Sequence, residues 1–97
     1  MNWEPCIPMP FAGRRYRNVS GEEYRCLADW QCRDTVRRLF GDDVELGLYD
    51  GVFERISDHW LLIARDVRRN EDGDICWGYS IRGRWRYPGE PTYGGES

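Results

Sequence analysis

The sequence contains no lysine, so all fourteen of its cationic side chains are arginine. This composition is typical of a GC-rich coding sequence, and it also suits a surface that makes planar, two-point contacts to carboxylate, phosphate or aromatic groups. Seventeen aspartates and glutamates bring the formal net charge to −3. The charge balance therefore resembles neither the strongly basic footprint of a general DNA-binding protein nor the extreme acidity of a protein that imitates DNA.

Long apolar runs are also missing. The longest, Trp60 to Ala64, is far shorter than the roughly 18–20 residues that a membrane span needs. The first residues lack the basic start and the apolar stretch of a secretion signal. We therefore expect a protein without membrane contact that acts in the cytoplasm, or in the host cytoplasm if a phage encodes it.

Catalytic motifs are absent from the sequence. It contains no phosphate-binding loop, Gly-x-Ser-x-Gly, His-Glu-x-x-His or cysteine-nucleophile pattern. The one histidine, His59, follows Asp58, and neighbouring side chains on a strand point to opposite faces, so the two are not expected to form an acid–base pair. The sequence predicts a protein that is not an enzyme and has no cofactor.

Four cysteines are spread along the chain: Cys6, Cys26, Cys32 and Cys76. They lack the close pairs that zinc sites use. If residues 20–40 are helical, Cys26 and Cys32 are separated by about 9 Å of rise, which a disulfide cannot span. Cys6 could still pair with Cys26 or Cys76. We interpret the four as small buried thiols in a reducing compartment and predict no metal, with a zinc site that includes His59 as the alternative.

The strongest structural signal is a hairpin from His59 to Tyr87. The run Trp60 to Ala64 is apolar on both faces, as expected of a central strand covered on both sides. Residues 75–87 alternate between apolar or aromatic side chains at odd positions and polar side chains, ending in three arginines, at even positions. Asp72-Gly73 between the two runs favours a tight turn. The pattern predicts two long antiparallel strands.

Residues 20–40 are predicted to form a helix. Ser20 and Glu23 match a capping box, and Gly41 suits a helix terminator. At helical spacing, one face collects Tyr24, Leu27, Ala28, Gln31, Cys32, Thr35 and Leu39, most of which are apolar or small. The alternative is a hairpin of residues 15–19 and 23–28 around Ser20-Gly21, followed by a helix that begins near Asp29.

These patterns predict an α+β domain in which one N-terminal helix packs on a four-stranded antiparallel β-meander over residues 43–87. Its first two strands are expected around the alternating residues 44–49 and in residues 52–56, on either side of Asp50-Gly51. The proline-rich residues 1–13 are predicted to form an extended arm that packs across the domain or docks on a partner, and residues 88–97 a mobile tail. All 97 residues are predicted to form a single domain.

One predicted partner-binding surface lies on the helix side turned away from the core. It consists of Trp30, Arg33 and Arg37. Tryptophan and arginine anchors dominate the energetics of protein interfaces, which favours a protein contact here. The alternative is that Phe11 or Met9 of the N-terminal arm covers Trp30.

The second predicted surface lies on the last strand and consists of Arg82, Arg84 and Arg86 with Trp85. Arginines and aromatics on a sheet can hold a nucleic-acid backbone and stack bases. Here, however, the aromatic side chains alternate with the arginines and should lie on the opposite face, whereas a nucleic-acid-binding sheet needs both on one face. This reasoning places a protein partner ahead of a nucleic acid.

The sequence thus predicts a small non-enzymatic protein-binding module that blocks its partner sterically, as an inhibitor or accessory protein of a phage or mobile element would. The second hypothesis is a nucleic-acid-binding module that uses the arginine-rich last strand. The third is a structural domain stabilised by a metal. Unpaired strand edges would in addition permit a homodimer.

Overall fold

The computed structural model describes residues 4–5 and 10–87. In chain order the elements are β1 Glu4–Pro5, β2 Arg15–Arg17, β3 Glu23–Ala28, α1 Arg33–Phe40, β4 Gly51–Arg55, β5 Trp60–Arg65, β6 Arg68–Arg69, β7 Ile75–Cys76 and β8 Tyr79–Trp85. Within the described residues, no helix has the length and apolar character needed to cross a membrane.

The main sheet has five antiparallel strands in the order β2-β3-β4-β5-β8, and a small sheet has the order β1-β6-β7. The predicted α+β class with an antiparallel sheet and one packed helix is therefore confirmed. The predicted four-stranded meander is wrong in detail, because the chain upstream of α1 contributes two strands to the sheet. Residues 44–49 contribute none, since their alternating side chains lie in an irregular segment and a turn.

The predicted helix over residues 20–40 is wrong in its first half, where the alternative hairpin forms instead. Asn18 organises the turn: its side-chain oxygen accepts hydrogen bonds from the backbone N–H groups of Ser20 and Glu22 and from the Ser20 hydroxyl. Gly21 adopts φ 92°, a conformation open to glycine. The strand pairs β2–β3 and β3–β4 then satisfy the backbone that a helix would have satisfied locally.

The helix itself begins at Arg33 and ends at Phe40, at the predicted terminator. Gly41 has φ 96°, and its N–H donates to the carbonyl of Arg37 at 2.9 Å. The apolar side chains of Val36, Leu39 and Phe40 occupy one side, at the three- and four-residue spacing that lets a short helix pack on a sheet.

The predicted hairpin between Trp60 and Tyr87 is present, but it is divided. β5 pairs with β8, and beyond them β6 pairs with β7 around the turn that contains Gly73 at φ 85°. The chain leaves the first ladder at Gly78, whose N–H donates to the carbonyl of Arg65 at 2.9 Å. The predicted continuous strand over residues 75–87 is therefore two strands in two sheets.

The five-stranded sheet is covered on both faces, so β4 and β5 are almost completely buried. One core lies under α1 and is formed by Leu27, Ala28, Val36, Leu39, Val44, Val52, Leu61 and Ile63. The other lies beneath the small sheet and is formed by Tyr24, Cys26, Phe53, Leu62, Ala64, Val67 and Ile75. The central, doubly covered strand predicted around Trp60 to Ala64 is confirmed.

A β-bulge interrupts β8. Leu61 pairs with Arg84 and Ile63 with Ile81, so Leu62 alone lies opposite both Arg82 and Gly83. Arg82 has φ 56° at this point. The extra residue shifts the alternation, so the odd-numbered apolar residues of this segment do not share one face as predicted: Ile81 packs with the core under α1, while Ile75, Trp77 and Trp85 lie on the other side.

Part of the predicted N-terminal arm packs across the domain, where Glu4–Pro5 pairs with Arg68–Arg69. The remainder of residues 1–9 and the predicted tail, residues 88–97, lie outside the described residues.

Candidate functional site

The three residues predicted to bind a partner from the helix side line one cleft. It lies between α1 and the segment that follows it, and its volume is about 130 Å³. Its lining residues are Asp29, Trp30, Arg33, Val36, Arg37, Asp42, Val44, Glu45 and Leu46. The sequence pattern predicted the helix side of this cleft. The side formed by residues 42–46 was not predicted, because residues 44–46 were assigned to a strand of the sheet.

The floor of the cleft is apolar and its rim is charged. Val36 and Val44 are buried parts of the core under α1, and Leu46 packs against them. Trp30 lines the same cleft and remains 38% exposed. A partly exposed tryptophan beside a concave apolar surface is typical of an interface anchor site.

Asp29 fixes the backbone that carries Trp30. Its carboxylate is buried and accepts the backbone N–H of Gln31 at 2.9 Å and that of Ala12 at 3.1 Å. The thiol of Cys32 donates to the same carboxylate at 3.3 Å, and burial is the main reason that the pKa of this thiol is raised. Asp29 therefore closes a tight turn around the tryptophan and ties it to the segment that precedes β2.

The predicted covering of Trp30 by Phe11 is absent from the described contacts. The Phe11 ring instead lies under the guanidinium of Arg14, 5.2 Å from its centroid. Met9, the other residue predicted to cover Trp30, lies outside the described residues. The indole is thus accessible within the described part of the chain.

The two arginines of the cleft have little ionic pairing of their own. Arg33 forms no ion pair among the described residues, and the nearest carboxylate to Arg37 is that of Asp34, 4.0 Å away and almost fully exposed. Asp42 and Glu45, on the other side of the cleft, are exposed and likewise have no ion-pair partner within residues 10–87. The rim therefore offers two cationic and two anionic groups to a ligand.

The arginines of the last strand are used differently. Arg82 bonds with both of its terminal nitrogens to the carboxylate of Asp43, at 2.8 Å for the Nη1–Oδ1 pair, and donates to the carbonyl of Phe40. This pairing lowers the pKa of Asp43 and raises that of Arg82. Arg82 thus links the bulge of β8 to the end of α1.

Arg84 and Arg86 also make contacts within the molecule. The Arg84 guanidinium donates to the carbonyl of Leu39 at 3.2 Å and lies over the rings of Phe40 and Tyr87, 5.5 and 4.9 Å from their centroids. Arg86 donates to the buried carboxylate of Glu54 at 2.9 Å. The three arginines that the sequence predicted as a partner-binding surface therefore each contact other elements of the same molecule.

Glu54 is an unpredicted buried charge, only 3% exposed. Its Oε2 lies 2.7 Å from Nδ1 of His59 and 2.9 Å from Nη1 of Arg86, so both partners share one oxygen. The sequence contained a signal for this group: Glu54 lies two positions after Val52 and therefore shares its apolar strand face, and a carboxylate on a buried face requires charged or hydrogen-bonding partners.

Trp85 lies on the face of the sheet opposite Arg84. Its ring contacts that of Trp60 edge-on, with centroids 4.5 Å apart, and it remains 54% exposed. Alternation predicted this separation of Trp85 from the arginine beside it. The seven predicted site residues therefore occupy three places. Trp30, Arg33 and Arg37 line the cleft, the three arginines of the last strand contact the end of α1, Asp43 or Glu54, and Trp85 lies on the other face beside Trp60.

Within the described residues, Cys26, Cys32 and Cys76 form no disulfide, and no group of three or more histidine, cysteine, aspartate or glutamate side chains is placed to hold a metal ion. Cys6 lies outside the described residues. Comparison of the chain with protein-family models, with curated proteins and with solved structures found no match in any of the three.

Proposed function

We propose that the protein is a small non-enzymatic protein-binding module, and that the cleft around Trp30 receives a side chain of the partner. The observation that carries this proposal is the combination, in one concave site, of an accessible tryptophan with two arginines that have almost no ionic partners among residues 10–87. Tryptophan and arginine are the residues most enriched among those that dominate protein interfaces.

The size of the cleft fits this function. A cavity of roughly 150 Å³ holds one benzene molecule, so a volume of about 130 Å³ suits one aromatic or branched aliphatic side chain rather than a cofactor. Such binding would act by steric occlusion without turnover, as in an inhibitor or accessory protein encoded by a phage or mobile element.

The last strand supports this proposal less directly. Its arginines are held by Asp43, Leu39 and Glu54, so a ligand would have to compete with existing contacts. A nucleic-acid-binding module that uses these arginines is the second candidate. It is favoured only by the exposed rings of Trp85 and Tyr87 near them.

The test is capture of partner proteins from a lysate of the native host, with and without nuclease, by wild-type protein and two matched variants. Trp30→Ala is expected to lose a stoichiometric, nuclease-resistant partner, since truncation of an anchor costs at least about 2 kcal/mol, or roughly thirtyfold in affinity. Trp85→Ala removes another exposed tryptophan and is expected to retain it.

Thermal melting of both variants shows whether the fold survives each change. If Trp30→Ala captures the partner as well as wild type does, the cleft is not the binding site. Recovery of nucleic acid alone, or of partners that nuclease removes, would establish the second candidate, with an affinity that falls steeply as salt rises.

A further inference from the structure

The rim of the Trp30 cleft is divided by charge. Arg33 and Arg37 lie one helical turn apart on α1, whereas Asp42 and Glu45 lie on the segment after the helix. All four side chains are exposed, and none has an ion pair shorter than 4.0 Å among residues 10–87. The buried side chain of Val36, which forms part of the apolar floor, lines the same cleft.

At several other places on the described surface, arginines and carboxylates meet in close pairs. Arg55 and Asp58 are 2.7 Å apart, Arg65 and Asp50 are 2.9 Å apart, and Arg82 binds Asp43. At the cleft, by contrast, charges of both signs without close partners surround one concave site that has an apolar floor. Groups that are arranged in this way are available to a ligand and can fix its orientation.

We propose that the occupant of the cleft is a peptide segment of a partner protein with one large apolar side chain flanked by a carboxylate on one side and a cationic side chain on the other. This inference rests on the proposed protein-binding function and specifies its partner. The carboxylate would meet Arg33 and Arg37, whose planar guanidinium groups bind carboxylates at two points. The cationic side chain would meet Asp42 and Glu45.

The divided rim also disfavours ligands of uniform charge. A polyanion such as a nucleic-acid strand would meet Asp42 and Glu45, and an acidic peptide would meet the same repulsion. A uniformly basic peptide would meet Arg33 and Arg37. Juxtaposed like charges provide the repulsive element through which interfaces reject wrong partners.

The experiment uses four blocked heptapeptides with a central phenylalanine, titrated into ¹⁵N-labelled full-length protein at low salt. The phenylalanine is flanked by glutamate then lysine, by lysine then glutamate, by glutamate on both sides, or by lysine on both sides. The Trp30 indole N–H resonance reports binding at the cleft. One of the two mixed peptides is expected to bind about fivefold more tightly than either uniform peptide, since each exposed ion pair contributes about 0.2–1 kcal/mol.

Charge-swapped variants test whether the rim charges determine the order of the four peptide affinities. Arg33→Glu with Arg37→Glu makes the rim wholly acidic and should transfer preference to the peptide with two lysines. Asp42→Arg with Glu45→Arg makes it wholly basic and should transfer preference to the peptide with two glutamates. Arg38→Glu changes an exposed arginine of α1 outside the cleft and should leave the ranking unchanged.

The inference is overturned if wild-type protein binds a uniform peptide most tightly, or if neither swap changes the ranking. It is also overturned if an oligothymidylate binds more tightly than every peptide, or if no peptide shifts the Trp30 resonance at millimolar concentration. The proposed function has its own test, because loss of the host partner in Trp30→Ala would still show that the cleft binds protein, with a partner of different chemistry.

Discussion

Gly83 in the bulge of β8 is expected to tolerate no side chain, for a reason visible in the structure. A Cβ atom placed there would lie 2.3 Å from Cζ2 and 2.7 Å from Cε2 of the Trp60 indole. Carbon atoms in proteins do not approach so closely, and the ring cannot simply retreat, because Trp85 packs against it with centroids 4.5 Å apart. Gly83→Ala must therefore displace a rigid ring pair or distort the bulge.

Overpacking of this kind costs about 2 kcal/mol, within the usual range of roughly 1–3 kcal/mol. For a domain of this size, that lowers the melting temperature by about 8–16 °C. Denaturant titrations followed by tryptophan fluorescence measure the free energy of unfolding directly. Gly78→Ala is the matched control, since its Cβ would lie 3.4 Å from the nearest side-chain atoms, those of Asp66, and the change is expected to cost less than about 0.5 kcal/mol.

A double-mutant cycle tests the cause. In a Trp60→Leu background the ring is gone, so Gly83→Ala should cost almost nothing there. Equal stability of Gly83→Ala and wild type would refute the reasoning outright. A full cost that persists without the Trp60 ring would show that the bulge backbone, rather than the indole, is what requires glycine.

Two further predictions concern charges. Among the described residues, Arg86→Ala leaves the buried carboxylate of Glu54 with one side-chain partner, His59. The substitution should cost about 2 kcal/mol of unfolding free energy, less than the loss of a fully buried pair, because Arg86 itself is partly exposed. Glu54→Gln removes the buried charge and should cost less, and the opposite order in denaturant titrations would contradict the expectation. The bond to Arg82 lowers the pKa of Asp43, so the stability gained from this pair should be present above the ordinary carboxyl pKa and be lost as pH falls through the lowered value. In a carbon-detected NMR titration, Arg82→Gln should return the pKa of Asp43 towards its ordinary range. An unchanged Asp43 titration would contradict the pairing.

The sequence predicted the parts of the fold that local patterns determine. Asp72-Gly73 and the apolar run from Trp60 predicted the hairpin, because turn geometry and strand alternation are properties of a few neighbouring residues. Gly41 predicted the end of the helix for the same reason. The α+β class followed from these elements, since a sheet with one apolar helix nearby has few ways to bury both.

The parts that depend on distant contacts were not predictable in the same way. Four of the six residues of β3 are buried, because β2 and β4 flank it and both sheet faces are covered. Its alternation is therefore lost from Cys26 to Ala28, and its apolar side chains also fit a helix face. Ser20 and Glu23 match a capping box, yet Asn18 binds Ser20 instead. The hydrogen bonds from Arg82 to Asp43 join residues that are 39 positions apart, and no local sequence pattern predicts such a contact.

The candidate site was likewise predictable from the sequence only in part. Trp30, Arg33 and Arg37 were grouped from an incorrect long helix, and they meet because α1 still begins close enough to Trp30 for all three to border one cleft. The opposite rim, Asp42 and Glu45, could not be assigned from sequence, because it depends on the course of an irregular segment after the helix.

The turn closed by Asp29 also bears on how tightly and how long a partner could be held. Ordering a mobile side chain at an interface costs about 0.5–1.5 kcal/mol, and that cost is subtracted from the affinity. The backbone on both sides of Trp30 is fixed before any encounter, by hydrogen bonds from Gln31 and Ala12 to one carboxylate. In the proposed complex, the backbone of this turn would therefore need no further ordering on binding, and the residence time of a partner would be sensitive to Asp29, whose carboxylate oxygens hold the turn.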